Sequence, residues 1–157
     1  MNDLRIKRVT APTDDARTLI GELDATLSAN YPPGQRHGLK LDAIFQPHIR
    51  FYLAWRDNAA VGCGGVALFD DFAEVKRMYV RDAARGNGVA QAVLAQLEAA
   101  ARDAGLPVLR LETGTEQHAA IRLYKRAGFT VCSAFGDYVA MDTKLITTSV
   151  FMEKRLG

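Results

Sequence analysis

The chain has 157 residues, 48% of them hydrophobic and 24% charged, with a formal net charge of +2. That length fits one domain, residues 1–157, with a usable core, and so small a charge excludes a broad nucleic-acid surface. The charged N-terminus lacks the apolar stretch of a signal peptide and no apolar run reaches membrane-spanning length, so no membrane contact is expected and the cytoplasm is the expected compartment.

The first element, "LRIKRVT" (4–10), alternates apolar and charged residues as a half-exposed strand does. After Pro12, Ala16, Leu19, Ile20, Leu23 and Leu27 follow helical spacing, with Asp14 and Asp15 in the first turn where the helix dipole favours negative charge. "YPPGQRHG" (31–38) holds two prolines and two glycines and is a loop. A short helix is expected over 39–45. Strands over 49–57 and 60–70 meet at Asp57-Asn58, a hairpin signal. A third strand covers 73–80, where alternation groups Glu74 with Lys76, Met78 and Val80, and Val75 with Arg77 and Tyr79.

A helix is expected from about 88 to 104, ended by Gly105. "VLRLET" (108–113) is a strand and "AAIRLYKRAGF" a helix that stops at Gly128. Strands over 129–135 and 149–156 close the chain, with an irregular segment between them. The order describes an α+β protein: a mixed, mostly antiparallel twisted sheet of six to seven strands flanked by about four helices.

Cys63 and Cys132 lie in strand-like segments and read as small buried hydrophobes. His37, His48 and His118 share no ligand spacing with them, so no metal is expected.

Two glycines stand at the mouth of the long helix, in Arg85-Gly86-Asn87-Gly88-Val89-Ala90. A helix start carries unpaired N–H groups and the positive end of a dipole, and glycine lets an anion approach the main chain. Arg85 adds a charge that can reach a phosphate oxygen. A tight turn alone would also use these glycines. The segment lacks the Gly-Lys-Ser/Thr ending of a Mg-nucleotide loop.

This segment resembles the Arg/Gln-x-x-Gly-x-Gly/Ala signature of the GCN5-related N-acetyltransferases, whose loop binds the pyrophosphate of acetyl-CoA. The resemblance covers nearly the whole chain: "AEVKRMYV" is similar to the family's fourth strand, and "LPVLRLETGTEQHAAIRLYKRAGF" to its fifth strand and following helix. "YPPGQRHGL", "FGDY" and "SVFMEKRL" are similar to a subgroup of small bacterial acetyltransferases, some of which have Glu-Ser where this chain has Gly34-Gln35. Gln117 stands where many members carry a cofactor-contacting asparagine.

The resemblance implies the acyl-CoA N-acyltransferase fold and transfer of the acetyl group of acetyl-CoA, the cosubstrate, to a primary amine of a small metabolite or amino acid by direct attack. It implies cofactor contacts at Met78, Tyr79, Val80, Arg85, Gly86, Asn87, Gly88, Val89, Ala90, Gln117 and Tyr124. Tyr124 matches the family's general acid. An amine of pKa about 10.4 is protonated at pH 7, so a base must take its proton. Glu74 is the first candidate, unless Lys76 or Arg77 ties it into an ion pair, and Glu112 is the second. The acceptor is expected among Tyr31, His37, Phe135, Asp137 and Tyr138. A homodimer is the implied oligomer. Transfer to proteins or peptides, a catalytically silent acyl-CoA-binding module and a nucleotide-binding domain are the alternatives.

Overall fold

Asp57 and Asn58 both take positive φ, 51° and 68°, the backbone that a two-residue hairpin turn needs to match the twist of its strands. This turn joins β2 (Ile49–Arg56) to β3 (Ala59–Leu68) in the computed structural model, which describes residues 3–157. Around the hairpin lie β1 (Leu4–Arg8), β4 (Ala73–Val80), β5 (Val108–Gly114), β6 (Thr130–Val131) and β7 (Ser149–Arg155), in one sheet of order β1-β2-β3-β4-β5-β7-β6. All neighbours are antiparallel except β4 and β5.

Among the described residues three α-helices cover the sheet: α1 (Asp14–Asn30), α2 (Val89–Asp103) and α3 (His118–Arg126). Thr13 caps α1, its hydroxyl accepting from the Ala16 amide at 3.2 Å. Leu19 and Ile20 of α1 bury against Phe51, Leu53 and Cys63 on one face. On the other face, Val93, Leu94 and Leu97 of α2 and Tyr124 of α3 pack with Val66, Leu109, Leu111 and Met152. Leu97 is fully buried, and truncating such a residue costs about 2–5 kcal/mol. The rest of the α1 face is closed by Phe135 and Tyr138, which pack on Phe72 and Phe151.

The short helix expected over 39–45 is a single 3-10 turn, Asp42–Phe45, so among the described residues there are three α-helices with several 3-10 turns. Pro47 lies two residues beyond it and limits its growth. The strand expected over 129–135 pairs only at Thr130 and Val131, after which the chain leaves the sheet to form the aromatic cover.

The alternation expected along β4 breaks in the middle. Cys63 pairs with Tyr79 and Gly65 with Lys76, so β4 carries one extra residue there, and Arg77 has φ +55°. This is a β-bulge, and it reverses which face each later residue takes. Val75, Met78 and Val80 therefore all meet the α2 core, while Arg77 and Tyr79 reach α1 through Asp24 and Glu22. Sequence alternation had grouped Val75 with Arg77 and Tyr79; the bulge overturns that grouping. Positive φ at a residue other than glycine costs roughly 1–2 kcal/mol. The Arg77–Asp24 ion pair and the Cys63 thiol, which donates to the Arg77 carbonyl at 3.4 Å, hold it.

Candidate active site

The parallel pair β4–β5 is joined only where Ala73 meets Leu109 and Glu74 meets Arg110. Beyond those pairs the strands separate, leaving β4 from Val75 to Val80 and β5 from Leu111 to Gly114 with facing edges that do not bond to each other. A polar main-chain edge of this kind can pair with an extended ligand as with an added strand. The other edge of each strand is occupied, by β3 and by β7.

A cavity of about 130 Å³ fills the split. Because the sheet is open there, side chains from both faces line it. Met78, Ala120 and Tyr124 come from the α2–α3 side. Glu74, Lys76, Arg77, Glu112 and Tyr138 come from the α1 side, with Tyr31, Gln35, Arg36 and His37 from the 31–38 loop and Gln117 at the start of α3. Glu112 lies opposite Phe151 in the β5–β7 register, which fixes its side of the sheet.

Tyr124 is 5% exposed, and burial, with a smaller contribution from the Glu112 charge, holds its phenol well above the ordinary range. No hydrogen bond engages its hydroxyl among the described residues, and its ring packs edge-on against Phe129. The proton therefore stays on the phenol at neutral pH, where the hydroxyl can donate a hydrogen bond.

The two carboxylates differ. Glu74 is buried and doubly engaged: the Tyr138 hydroxyl donates to it at 2.8 Å and Lys76 Nζ lies at 2.9 Å. The ion pair that the sequence left open is thus present, with Lys76 as the partner. Burial, and then the negative charges of Glu74 and Glu112, push the Tyr138 phenol up. Among the described residues no cation is bonded to Glu112. Ser149 donates to it at 2.6 Å, and burial raises its carboxyl above the ordinary value despite that bond.

The 31–38 loop is fastened on both sides. Gln35 donates to the Lys144 carbonyl at 3.2 Å and the Thr147 hydroxyl at 2.9 Å. His37 Nε2 lies 2.7 Å from the Leu145 carbonyl, an acceptor, so Nε2 carries the hydrogen. The Glu116 amide donates to the Tyr31 hydroxyl at 2.9 Å.

Beside the split, Arg85–Gly88 is exposed. Gly86 and Gly88 both have φ +80°, and Gly88 is the N-cap of α2 with no side-chain cap. Among the described residues, the N–H groups of residues 86–91 have no main-chain acceptor. Nothing lies within 4 Å of where a Cβ on Gly86 would stand. The bare glycine answers a need for backbone shape and open approach, not for packing room. Unpaired amides at the positive end of a 15-residue helix fit a diphosphate. Arg85 is engaged with Asp82 at 2.6 Å and with the Val80 carbonyl at 3.1 Å, an exposed pair that a phosphate can displace at little cost.

Met78, Gln117 and Tyr124 are thus brought to one cavity, and Tyr31, His37 and Tyr138 join them from the opposite side. Tyr79 points instead to Glu22 on α1, and Val80 to the α2 core. Phe135 is buried in the aromatic cover and Asp137 is exposed; neither lines the cavity. Arg36 lines it and was not anticipated. Its signal was present only as one cation in a proline-rich loop.

A sheet split between two parallel strands, with a glycine-rich helix start beside the split, defines the acyl-CoA N-acyltransferase class. The crystal structure of a Klebsiella pneumoniae protein assigned as an acyl-CoA N-acyltransferase superposes with a TM-score of 0.77 at 35% identity, covering 98% of both chains. The model of the acetyltransferase (GNAT) family matches residues 20–129, and this chain belongs to that family. It is similar to an "IAA acetyltransferase" of Azospirillum brasilense, 39% identical over 99% of this chain and 100% of the relative. It is also similar to the "Uncharacterized N-acetyltransferase YsnE" of Bacillus subtilis, 33% identical over 88% of this chain and 91% of the relative. An N-acetyltransferase from Thermoplasma acidophilum, solved with coenzyme A, shares the fold at TM-score 0.70 and 16% identity. The chain is accordingly an acetyltransferase that uses an acyl-CoA cosubstrate. No helix among the described residues is long and apolar enough to cross a membrane.

Proposed function

We propose that the protein transfers the acetyl group of acetyl-CoA to the primary amine of a small metabolite or amino acid by direct attack. The observation that carries this reading is the cavity in the β4–β5 split, lined by Tyr124 from one face of the sheet and by two carboxylates from the other.

The cosubstrate supplies an activated thioester. Its diphosphate would be held by the unpaired amides of residues 86–91 and by Arg85. Its arm would lie along the free edge of β4 near Met78, whose main-chain N–H groups can polarise a carbonyl. Gln117, at the entrance to α3, offers an amide donor to the same arm.

Of the two carboxylates, Glu112 is the better base. Glu74 is neutralised by Lys76 and Tyr138, whereas Glu112 is held by one hydroxyl and its proton affinity is raised by burial. A base whose pKa approaches the working pH is the effective one. Glu112 takes the proton from the attacking amine, directly or through a water. Glu74 and Lys76 orient the Tyr138 hydroxyl at the acceptor end. Tyr124 gives its proton to the departing thiolate, which at pKa about 8.5 is the weaker base of that pair and needs the donor near it. Tyr31, His37 and Tyr138 shape the acceptor space, while Phe135 supports Tyr138 from behind.

The test is thiol release from acetyl-CoA with a panel of small primary amines, the product read as the mass of one added acetyl group. Turnover on at least one amine is expected. Binding of CoA without turnover on any amine would overturn the reading in favour of a silent acyl-CoA module.

A further inference from the structure

The charges lining the cavity are mostly settled in pairs. Lys76 is bound to Glu74, and Arg77 to Asp24. Two side chains stand outside these pairs. Among the described residues Glu112 has only the Ser149 hydroxyl, and Arg36 has only the Ser28 hydroxyl, to which its Nη1 donates at 2.8 Å. The lining thus offers one unpaired anion and one unpaired cation to whatever enters.

The cation side carries a second feature. Among the described residues the Arg36 Nη2 has no hydrogen-bond partner and is not buried, and the side chain lines the cavity. Arg77 is deeply held, its side chain 3% exposed. A guanidinium edge with no protein acceptor is open to a ligand that completes its hydrogen bonds. The ligand group that completes them must accept and not donate. A carboxylate does both, presenting two acceptor oxygens to a guanidinium edge.

The loop that carries Arg36 is already ordered. Gln35 and His37 on either side of it are bonded to the Lys144 and Leu145 carbonyls. Gly38 rests on the Arg77 guanidinium so closely that a Cβ there would overlap Nη1. Little further ordering is needed for Arg36 to bind an anion.

We infer that the acceptor is an amine that also bears a carboxylate, an amino acid in the broad sense, with its carboxylate received by Arg36 and its amine directed to Glu112. The inference rests on the transferase reading above and narrows its acceptor. Arg36 is then a specificity-determining residue that touches substrate away from the reacting atoms.

The experiment uses the full chain with CoA present and titrates amino acids against their carboxamides by calorimetry. At least one amino acid should bind about tenfold or more tighter than its amide. Arg36→Gln should abolish that preference and Arg36→Lys should restore part of it, with CoA binding in the same samples reporting an intact fold. Equal affinity for acid and amide, no binding of any amino acid, or an unchanged preference in Arg36→Gln would overturn the inference. Thiol release with the same pairs separates the two readings. Equal rates on acid and amide would sink the carboxylate subsite and leave the transferase standing. An Arg36-dependent binding preference without thiol release would do the opposite.

Discussion

The Tyr31 phenol lies against the bare Cα of Gly114, so close that a Cβ there would overlap its hydroxyl and Cζ and come within 2.9 Å of Cε1. Tyr31 closes the C-terminal end of α1, its amide donating to the Leu27 carbonyl. Its hydroxyl receives the Glu116 amide just before α3. One side chain therefore ties α1 to the far end of β5, across the mouth of the cavity, and Gly114 is the gap through which it passes.

Gly114→Ala should displace that ring. The Glu116 amide loses its acceptor and the wall formed by Tyr31 shifts. Overpacking of this kind costs about 1–3 kcal/mol, so the melting temperature should fall by several degrees. The KM for the acceptor should rise more than the KM for acetyl-CoA, because Tyr31 borders the acceptor side. An unchanged melt would show that Tyr31 moves aside freely.

Tyr124→Phe removes a hydroxyl that no group among the described residues bonds, so the melt should move little. The kcat should fall about 100-fold or more if the phenol protonates the leaving thiolate, with CoA affinity retained. A variant with unaltered kcat would reduce Tyr124 to a packing residue against Phe129.

Glu112→Gln separates stability from catalysis. Burial is the main reason the Glu112 carboxyl is raised above its ordinary value. A raised carboxyl disfavours the folded state once it ionises. Its stabilising share is complete below the unfolded pKa and is lost as pH rises through the folded pKa. Glutamine keeps an acceptor for Ser149 but never ionises. The variant should therefore melt higher than wild type at pH 7, and the difference should close below about pH 4. Its kcat/KM should drop, and the acid limb that Glu112 gives the wild-type pH profile should disappear. An acid limb that survives in the variant would move the base role elsewhere.

The loop at residues 85–90 and Tyr124 were legible in the sequence because they are local. Two glycines before a helical period mark themselves without knowledge of the rest of the fold, and Tyr124 is marked by the family resemblance of the Ala-Ile-x-Leu-Tyr run in which it sits. The β4 bulge at Arg77 was not legible, since no glycine or proline announces it; its cause is tertiary, in Cys63, Asp24 and the register with β3. For the same reason alternation misassigned Val75 and Tyr79. Glu74 and Glu112 could both be named as candidates, but their difference lies in partners 64 and 37 residues away, Tyr138 and Ser149. Asp137 and Tyr138 are neighbours in sequence, yet the 3-10 turn Gly136–Ala140 turns one to solvent and buries the other over Glu74.

Gly86→Ala tests the loop without disturbing the acceptor cavity. At φ +80° an alanine is strained by roughly 1 kcal/mol, and with open space around the new methyl nothing else in the fold must shift. A modest loss of stability is therefore expected. The loss of cosubstrate affinity should be larger, about tenfold or more, because backbone strain and the added methyl both oppose a diphosphate drawing up to the amides of residues 86–91. Acetyl-pantetheine, which has the thioester and arm but no diphosphate, should turn over at the same kcat/KM in wild type and variant. Parallel losses for both thioesters would mean that the glycine serves the helix start alone, and that the diphosphate is held somewhere other than the tip of α2.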